Sequence, residues 1–326
     1  MFKRMIFLMA MSLLVLVGTT GLMPAQAQSG TAVPTADPWL QKPVLPYLLL
    51  TQDSRLASER QSLYRALHLS AQEEKALQKI AGQEQQAVRD LYQTSQSTLL
   101  GEANSSIDKE QAVLAHNQGV SEAMAKTDRA VRQLLGSRYS AFRAWIREWW
   151  GREQEAIYHL KQPQPVASPG VRSSAYSCYM FATQYYGYTY YEVALPDKYV
   201  KFANLGWHIP PPYNSRYNNP PYTVNIYRSG HWVRGVLVRE VGPWNIDDNY
   251  WDSANGSNPR RMFSDIPLCW SEAEYAYYYG YNGGKDYKGR VVTVPTSVDL
   301  TPAVARDLGL GYLENSWLTV YYFDLP

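Results

Sequence analysis

The segment TVNIYRSGHWVRGVLVREVGPW (residues 223–244), read together with VDLTPAVARDLGLG (298–311), decides how the second half of this chain folds. Two apolar strands meet at Ser229-Gly230, a dipeptide suited to a tight turn because glycine bears no Cβ to clash at positive φ. The second strand runs out at Glu240-Val241-Gly242-Pro243-Trp244. Proline cannot donate to a ladder and glycine weakens a strand, so the sheet should stop there and leave Glu240 near an exposed rim. The later segment carries its own punctuation. Asp299 follows a short apolar run, Thr301 stands in N-cap position, Pro302 opens a helix and Gly309 closes it.

Working outward, the chain before this segment is helical in character from residue 47 to 160. Ser70-Ala71-Gln72-Glu73 is a capping box. Leu77, Ala81, Val88, Leu91, Ser95 and Leu99 follow near a 3.5-residue repeat. Gly101 to Ser106 interrupts the stripe; Ile107, Val113, Leu114, Val120, Met124, Val131 and Leu134 resume it, and Tyr139, Phe142, Trp145, Trp149 and Ile157 mark a third segment. Three amphipathic helices with short breaks predict an antiparallel bundle or long hairpin. The simplest role for it is a packed spacer or dimerisation arm. KQPQPVASPGVR (161–172) then changes the composition: its prolines cannot continue a helix, so this is a semi-rigid linker about which the two halves should fold independently. Beyond it, tyrosine-rich short apolar runs between Gly and Pro breaks read as all-β with long loops. Within the insertion from Trp244 to Val298, SEAEYAYYYG reads as a short helix starting at Ser271 and ending at Gly280.

At these residues a family likeness emerges. The order strand, acidic residue, x-Gly-Pro-aromatic, then Asp-Leu-Thr and a short Ala-rich helix ending Leu-Gly, resembles rare lipoprotein A (RlpA-like) and, more distantly, the expansins. SCYMFATQYYG (177–187) resembles that family's opening strand, Val193-Ala194-Leu195-Pro196 the stretch before its second strand, and WLTVYYF (317–323) a closing strand. The resemblance implies a six-stranded double-psi β-barrel, with a long insertion between Trp244 and Val298, that binds or cleaves polysaccharide in a groove holding Glu240 and Asp299. Departures from the family pattern are Glu rather than Asp at 240, Val241 in place of Arg, and no His near Ala194. LHLSAQEEKALQKI resembles one helix of periplasmic stress chaperones of the Spy and CpxP type.

The expected organisation is a signal peptide (1–27), a Pro-rich entry segment (28–46), an α-helical domain (47–160), the linker (161–172) and the barrel (173–326). The start has Lys3 and Arg4, an apolar run, and small residues at Ala25 and Ala27, the pattern of a cleaved export signal; an uncleaved anchor is the competing reading. Removing Lys3 and Arg4 takes the basic count from 31 to 29, equal to the 29 acids, a balance that offers nothing to nucleic acid. In an exported, extracellular, cell-wall-associated or periplasmic chain the two cysteines, Cys178 and Cys269, are able to form one disulfide, tying the opening strand to the insertion. No cofactor and no metal site is expected: Asp247, Asp248, Asn249 and Asp252 do not have EF-hand spacing and read as a turn-capping loop.

Glycoside cleavage needs a carboxylic acid to protonate the leaving oxygen, often with a second carboxylate. Glu240 and Asp299 are the candidates; the competing readings are a strand-end ion pair for Glu240 and stabilisation of the following helix N-terminus for Asp299. Trp244, Trp232, Tyr250 and Trp251 are candidates to stack on sugar rings, although aromatics also pack β cores. The expectation is a glycan-cleaving enzyme of lytic-transglycosylase type acting on peptidoglycan. The alternatives are a non-catalytic expansin-like binding module, and an envelope chaperone or sensor led by the helices. The two carboxylates should share one rim, with Trp244 beside them.

Overall fold

The computed structural model describes residues 37–101, 103–162, 176–186, 190–197, 223–251 and 262–322. The expected signal peptide and most of the entry segment and linker lie outside these residues, as do Trp207, His208, Tyr213, Tyr217, Tyr222 and Asp252.

Five helices open the described chain: α1 (Val44–Leu50), α2 (Ser54–Ala66), α3 (Ala71–Leu100), α4 (Ser106–Leu135) and α5 (Tyr139–Leu160). Their ends are set locally. The Asp53 carboxylate accepts from the Arg55 and Leu56 amides at the start of α2, and capping boxes at Ser70/Glu73 and Ser105/Asp108 start α3 and α4. Along α3 the apolar stripe is buried at Leu77, Ala81, Val88 and Leu99. On α4 it is buried only from Val120 onward, and Ile107 and Leu114 are exposed at 64% and 61%. There α4 turns its other side to the barrel's insertion: the Asn117 amide donates to the Gly289 carbonyl at 2.9 Å and accepts from the Val291 N–H at 2.7 Å. Hydrogen bonding to the insertion, rather than the apolar period, sets which face of α4 is covered.

The second half is a closed barrel of six strands: β1 (Tyr176–Gln184), β2 (Glu192–Leu195), β3 (Thr223–Arg228), β4 (His231–Val241), β5 (Val298–Leu300) and β6 (Ser316–Tyr322). The order is β1-β5-β2-β4-β3-β6, with β1/β5 and β2/β4 parallel and the remaining pairs antiparallel. Ser229 and Gly230 both take positive φ, 47° and 90°, at the β3–β4 turn. Met180, Val193, Val236, Val298, Leu318 and Val320 belong to the buried cluster that fills the barrel. Among the described residues two short helices accompany it: α6 (Glu272–Tyr279), with a capping box at Ser271 and Gly280 in the left-handed region, and α7 (Pro302–Asp307). A disulfide joins Cys178 on β1 to Cys269 just before α6, with Cα atoms 5.2 Å apart.

The composition break at the linker is not a break in the core. One cluster of buried side chains takes Tyr47 from α1, Trp149 and Trp150 from α5, Phe181 from β1, Tyr277 and Tyr278 from α6, and Trp317 from β6. The described residues fall in one compact unit. Lys161, just past α5, is fully buried; its Nζ donates to Glu274 on α6 at 2.7 Å and to the Tyr179 carbonyl of β1 at 2.8 Å, and sits 4.8 Å from the Trp270 ring centre. Burial pushes both Lys161 and Glu274 toward their neutral forms, and their mutual attraction opposes this.

This shared core argues against the independent folding expected from the composition. A fragment of residues 172–326, prepared with its disulfide, should lack a cooperative thermal transition, because Phe181, Tyr277, Tyr278 and Trp317 lose their cover. Lys161→Met should destabilise the whole protein by roughly 3–5 kcal/mol, since it strands the Glu274 carboxylate in the interior. Lys161→Met/Glu274→Gln should recover more than half of that loss, both read from urea denaturation midpoints.

Candidate functional site

Asp299 and Glu240 lie on one face of the barrel because of strand register. Asp299 on β5 pairs with Thr183 on β1 and with Ala194 on β2, and Ala194 pairs in turn with Glu240 on β4. Directly paired residues point to the same side of a sheet, so Thr183, Asp299, Ala194 and Glu240 form one row across four strands. Their neighbours Val193, Val238, Val298 and Leu300 fill the interior. Strands lie about 4.8 Å apart, so the Asp299 and Glu240 Cα atoms are separated by about 10 Å. Glu240 reaches this face only through an irregularity. The register passes from Val193↔Val238 to Ala194↔Glu240, skipping Arg239. Without that bulge Glu240, two residues after the inward Val238, would face the core.

The two carboxylates sit in different surroundings. Glu240 is half-buried, and its Oε1 accepts from the Val241 amide at 2.8 Å. Asp299 is 9% exposed; the Thr183 hydroxyl donates to its Oδ1, and Thr183 is itself within 3.0 Å of the Thr296 hydroxyl. Burial raises the Asp299 carboxyl to about 6, and the Thr183 hydrogen bond and the Arg89 charge pull against that rise. Tyr185, one residue past β1, donates to Glu192 at 3.1 Å. Burial, then the charges of Glu192, Asp299 and Glu240, drive its hydroxyl pKa far up, which marks the three acids as neighbours of one phenol.

Asp299 opens into a cavity of about 130 Å³ between α1, α3 and the barrel. Tyr47, Val88, Phe181 and Trp244 give it apolar walls; Arg89 and Gln93 from α3 bring polar groups opposite Thr183 and Asp299. Pockets for drug-sized ligands run to several hundred Å³, so this space is small, with room for about a single ring.

Trp244 stands beside this cavity but is no open stacking platform. It is 1% exposed, its indole N–H donates to the Val294 carbonyl at 3.0 Å, and its ring lies 4.6 Å from that of Tyr92 and 5.1 Å from the Arg290 guanidinium. Tyr250 and Trp251 are wholly buried: Tyr250 accepts from the Tyr322 hydroxyl at 3.0 Å, and Trp251 stacks on Tyr322 at 4.8 Å. They pack the barrel and offer no face to a sugar. Trp232, 43% exposed beside Tyr227 and Tyr321, lies at the hairpin end of β4, eight residues from Glu240 and about 25 Å along the strand. Among the described residues no cluster of three or more His, Cys, Asp or Glu is arranged to hold a metal ion. Asp248 instead accepts the Glu272 amide at 2.6 Å, capping the first turn of α6.

Thr183, Tyr185 and Arg89 escape the sequence reading. Tyr185 falls in the Tyr-Tyr-Gly noted for the opening strand, whereas Arg89 is one charged residue beside Val88 on a helix, with no local signal.

A family model described as a domain of unknown function (DUF8814) matches residues 182–321. That span takes in the barrel from the end of β1 to β6 with its insertion, and none of α1–α5. No curated protein and no solved structure matches the chain.

A carboxyl that titrates near 6 when folded and near 3.9 when unfolded costs stability as pH rises between those values. Asp299→Asn should therefore raise the melting temperature at pH 7.5, by the equivalent of up to roughly 3 kcal/mol. The gain should shrink through pH 6 and vanish near pH 4, as measured by calorimetry across that range.

Proposed function

We propose that the protein acts on a glycan at this row, with Asp299 as general acid and then base and Glu240 as the second carboxylate. The observation that carries the reading is Asp299: a buried carboxyl, held by Thr183 beside a cavity, with its pKa raised to about 6. About a tenth of it is protonated at pH 7, enough to supply a proton where water is largely excluded. In the reaction the Asp299 proton passes to the glycosidic oxygen as the C–O bond breaks. The sugar's own hydroxyl oxygen then bonds to the anomeric carbon, and its proton returns to Asp299. One acid suffices for this intramolecular route, and the spacing of Glu240 leaves it to orient the chain or stabilise developing positive charge.

The double-psi assignment belongs with this proposal. A closed six-stranded barrel with two parallel pairings is compatible with it. So is the convergence of the Glu240–Pro243 and Asp299–Thr301 motifs, which drew the comparison with rare lipoprotein A and with peptidoglycan. Export is part of the same reading, supported by the N-terminal sequence and by the Cys178–Cys269 bond, a kind that persists in oxidising compartments.

Incubation of the purified protein with peptidoglycan should release anhydro-ended fragments. Release should decline as pH rises through 6, since the proton donor is lost. Asp299→Asn should cut the rate by at least about a hundredfold and Glu240→Gln by less. Binding without products would assign the row to a non-catalytic wall-binding module, and full activity in Asp299→Asn would remove the row from the chemistry.

A further inference from the structure

Gln85, Arg89 and Gln93 follow at i, i+4 and i+8 on α3, so they stack along one helix face, and all three line the cavity that Asp299 borders. Arg89, like Arg60 and Arg228, donates to backbone carbonyls rather than to a carboxylate among the described residues. Arg55, Arg138, Arg143 and Arg290 each pair with a carboxylate. Half-buried Arg89 spends Nη2 on the Leu313 carbonyl at 3.3 Å, and among the described residues no carboxylate pairs with it within 4.0 Å. Burial disfavours its charge, which a bound anion would restore. A guanidinium presents paired donors matched to a carboxylate, and glutamine amides donate to and accept from sugar hydroxyls. Asp299 and Arg89 favour each other's charged form without forming an ion pair within 4.0 Å, and the Asp299 Oδ1 accepts from the Thr183 hydroxyl. Among the described residues, the charged and titratable groups around Asp299 include Arg89 and Tyr92 from α3, Tyr185 past β1, Glu192 on β2 and Glu240 on β4. Among the described residues, Arg89 is the cation whose charge acts on Asp299.

We propose that this cavity is a subsite for a carboxylate-bearing sugar, in which Arg89 takes the carboxylate and Gln85 and Gln93 take ring hydroxyls, so that helix α3 forms half of the glycan site. The inference rests on the glycan reading of the Asp299 row and adds the substrate class to it. It also gives the helical half a part in recognition, although the matching domain family stops short of it.

The test uses the purified protein at pH 7 and constant ionic strength, titrated with glucuronate and, as its neutral counterpart, glucose. Trp244, which lines the cavity, supplies a fluorescence signal. Glucuronate should bind at least tenfold more tightly than glucose. Arg89→Gln should lose at least tenfold in glucuronate affinity with its melting curve intact, Arg89→Lys should fall between, and Asp299→Asn should bind as well or better because a like charge is gone. Gln93→Leu provides a second variant should Arg89→Gln unfold, and should weaken both sugars. No glucuronate binding, equal affinity for both sugars, or glucuronate affinity unchanged in Arg89→Gln would overturn the subsite. Glycan release persisting in Asp299→Asn while Arg89 still governs glucuronate affinity would instead overturn the catalytic reading and leave the subsite standing.

Discussion

The Tyr47 side chain is the point on which the two halves of this structure depend. Its ring contacts those of Trp149, Trp150, Phe181, Tyr277 and Tyr278, so a single residue of α1 touches α5, β1 and α6. Its hydroxyl donates to Glu153 and accepts from the Trp317 indole at 3.1 Å, while Arg55 neutralises Glu153. Burial raises the pKa of the Tyr47 hydroxyl, and the Glu153 charge raises it further, which keeps it a donor at any ordinary pH. An aromatic cluster of this size contributes through the area it removes from water, and its polar edge must be satisfied internally. The Tyr47–Glu153–Arg55 network and the Lys161–Glu274 pair do that on its two sides.

The same packing creates the cavity. Tyr47 and Phe181 belong to the shared core and also wall the space beside Asp299, so the helices that cover the aromatic cluster also dehydrate that carboxyl. Opposite them, the Arg290–Asp286 pair fixes the far side. Arg290 donates to the Trp244 carbonyl at 2.9 Å and to the Gln96 side chain at 2.7 Å, joining the end of β4 to α3. The contrast between Asp299 and Glu240 follows. Both stand in one row of the sheet; Asp299 lies under the helical cover, and removal from water raises its pKa.

Much of this was legible in the chain, because its signals act over a few residues. The Ser70 and Ser271 capping boxes, the Ser229-Gly230 turn, the end of β4 at Gly242-Pro243, and Pro302 and Gly309 bounding α7 each depend on donors, acceptors or backbone angles set nearby. The aromatic residues were legible only as aromatic. Whether a ring faces sugar or core depends on what packs over it, and Tyr250 and Trp251 are closed in by Tyr322, far along the chain.

Tertiary structure alone decided the rest. The row of Thr183, Asp299, Ala194 and Glu240 exists because closing the barrel sets the register of β1, β5, β2 and β4, strands whose spacing in sequence carries no record of their pairing. The skipped Arg239 turns Glu240 outward, and a bulge depends on the partner strand as much as on its own residues. Arg89 meets Asp299 across the cavity only because the aromatic core draws α3 against the barrel. Sequence by itself located helix caps, turns and breaks, since those answers lie within a few residues, but its apolar stripes mark three helices where α1 and α2 bring the described helices ahead of the barrel to five. Which side chains share a face, and which of them lose their water, was settled by contacts between residues hundreds of positions apart.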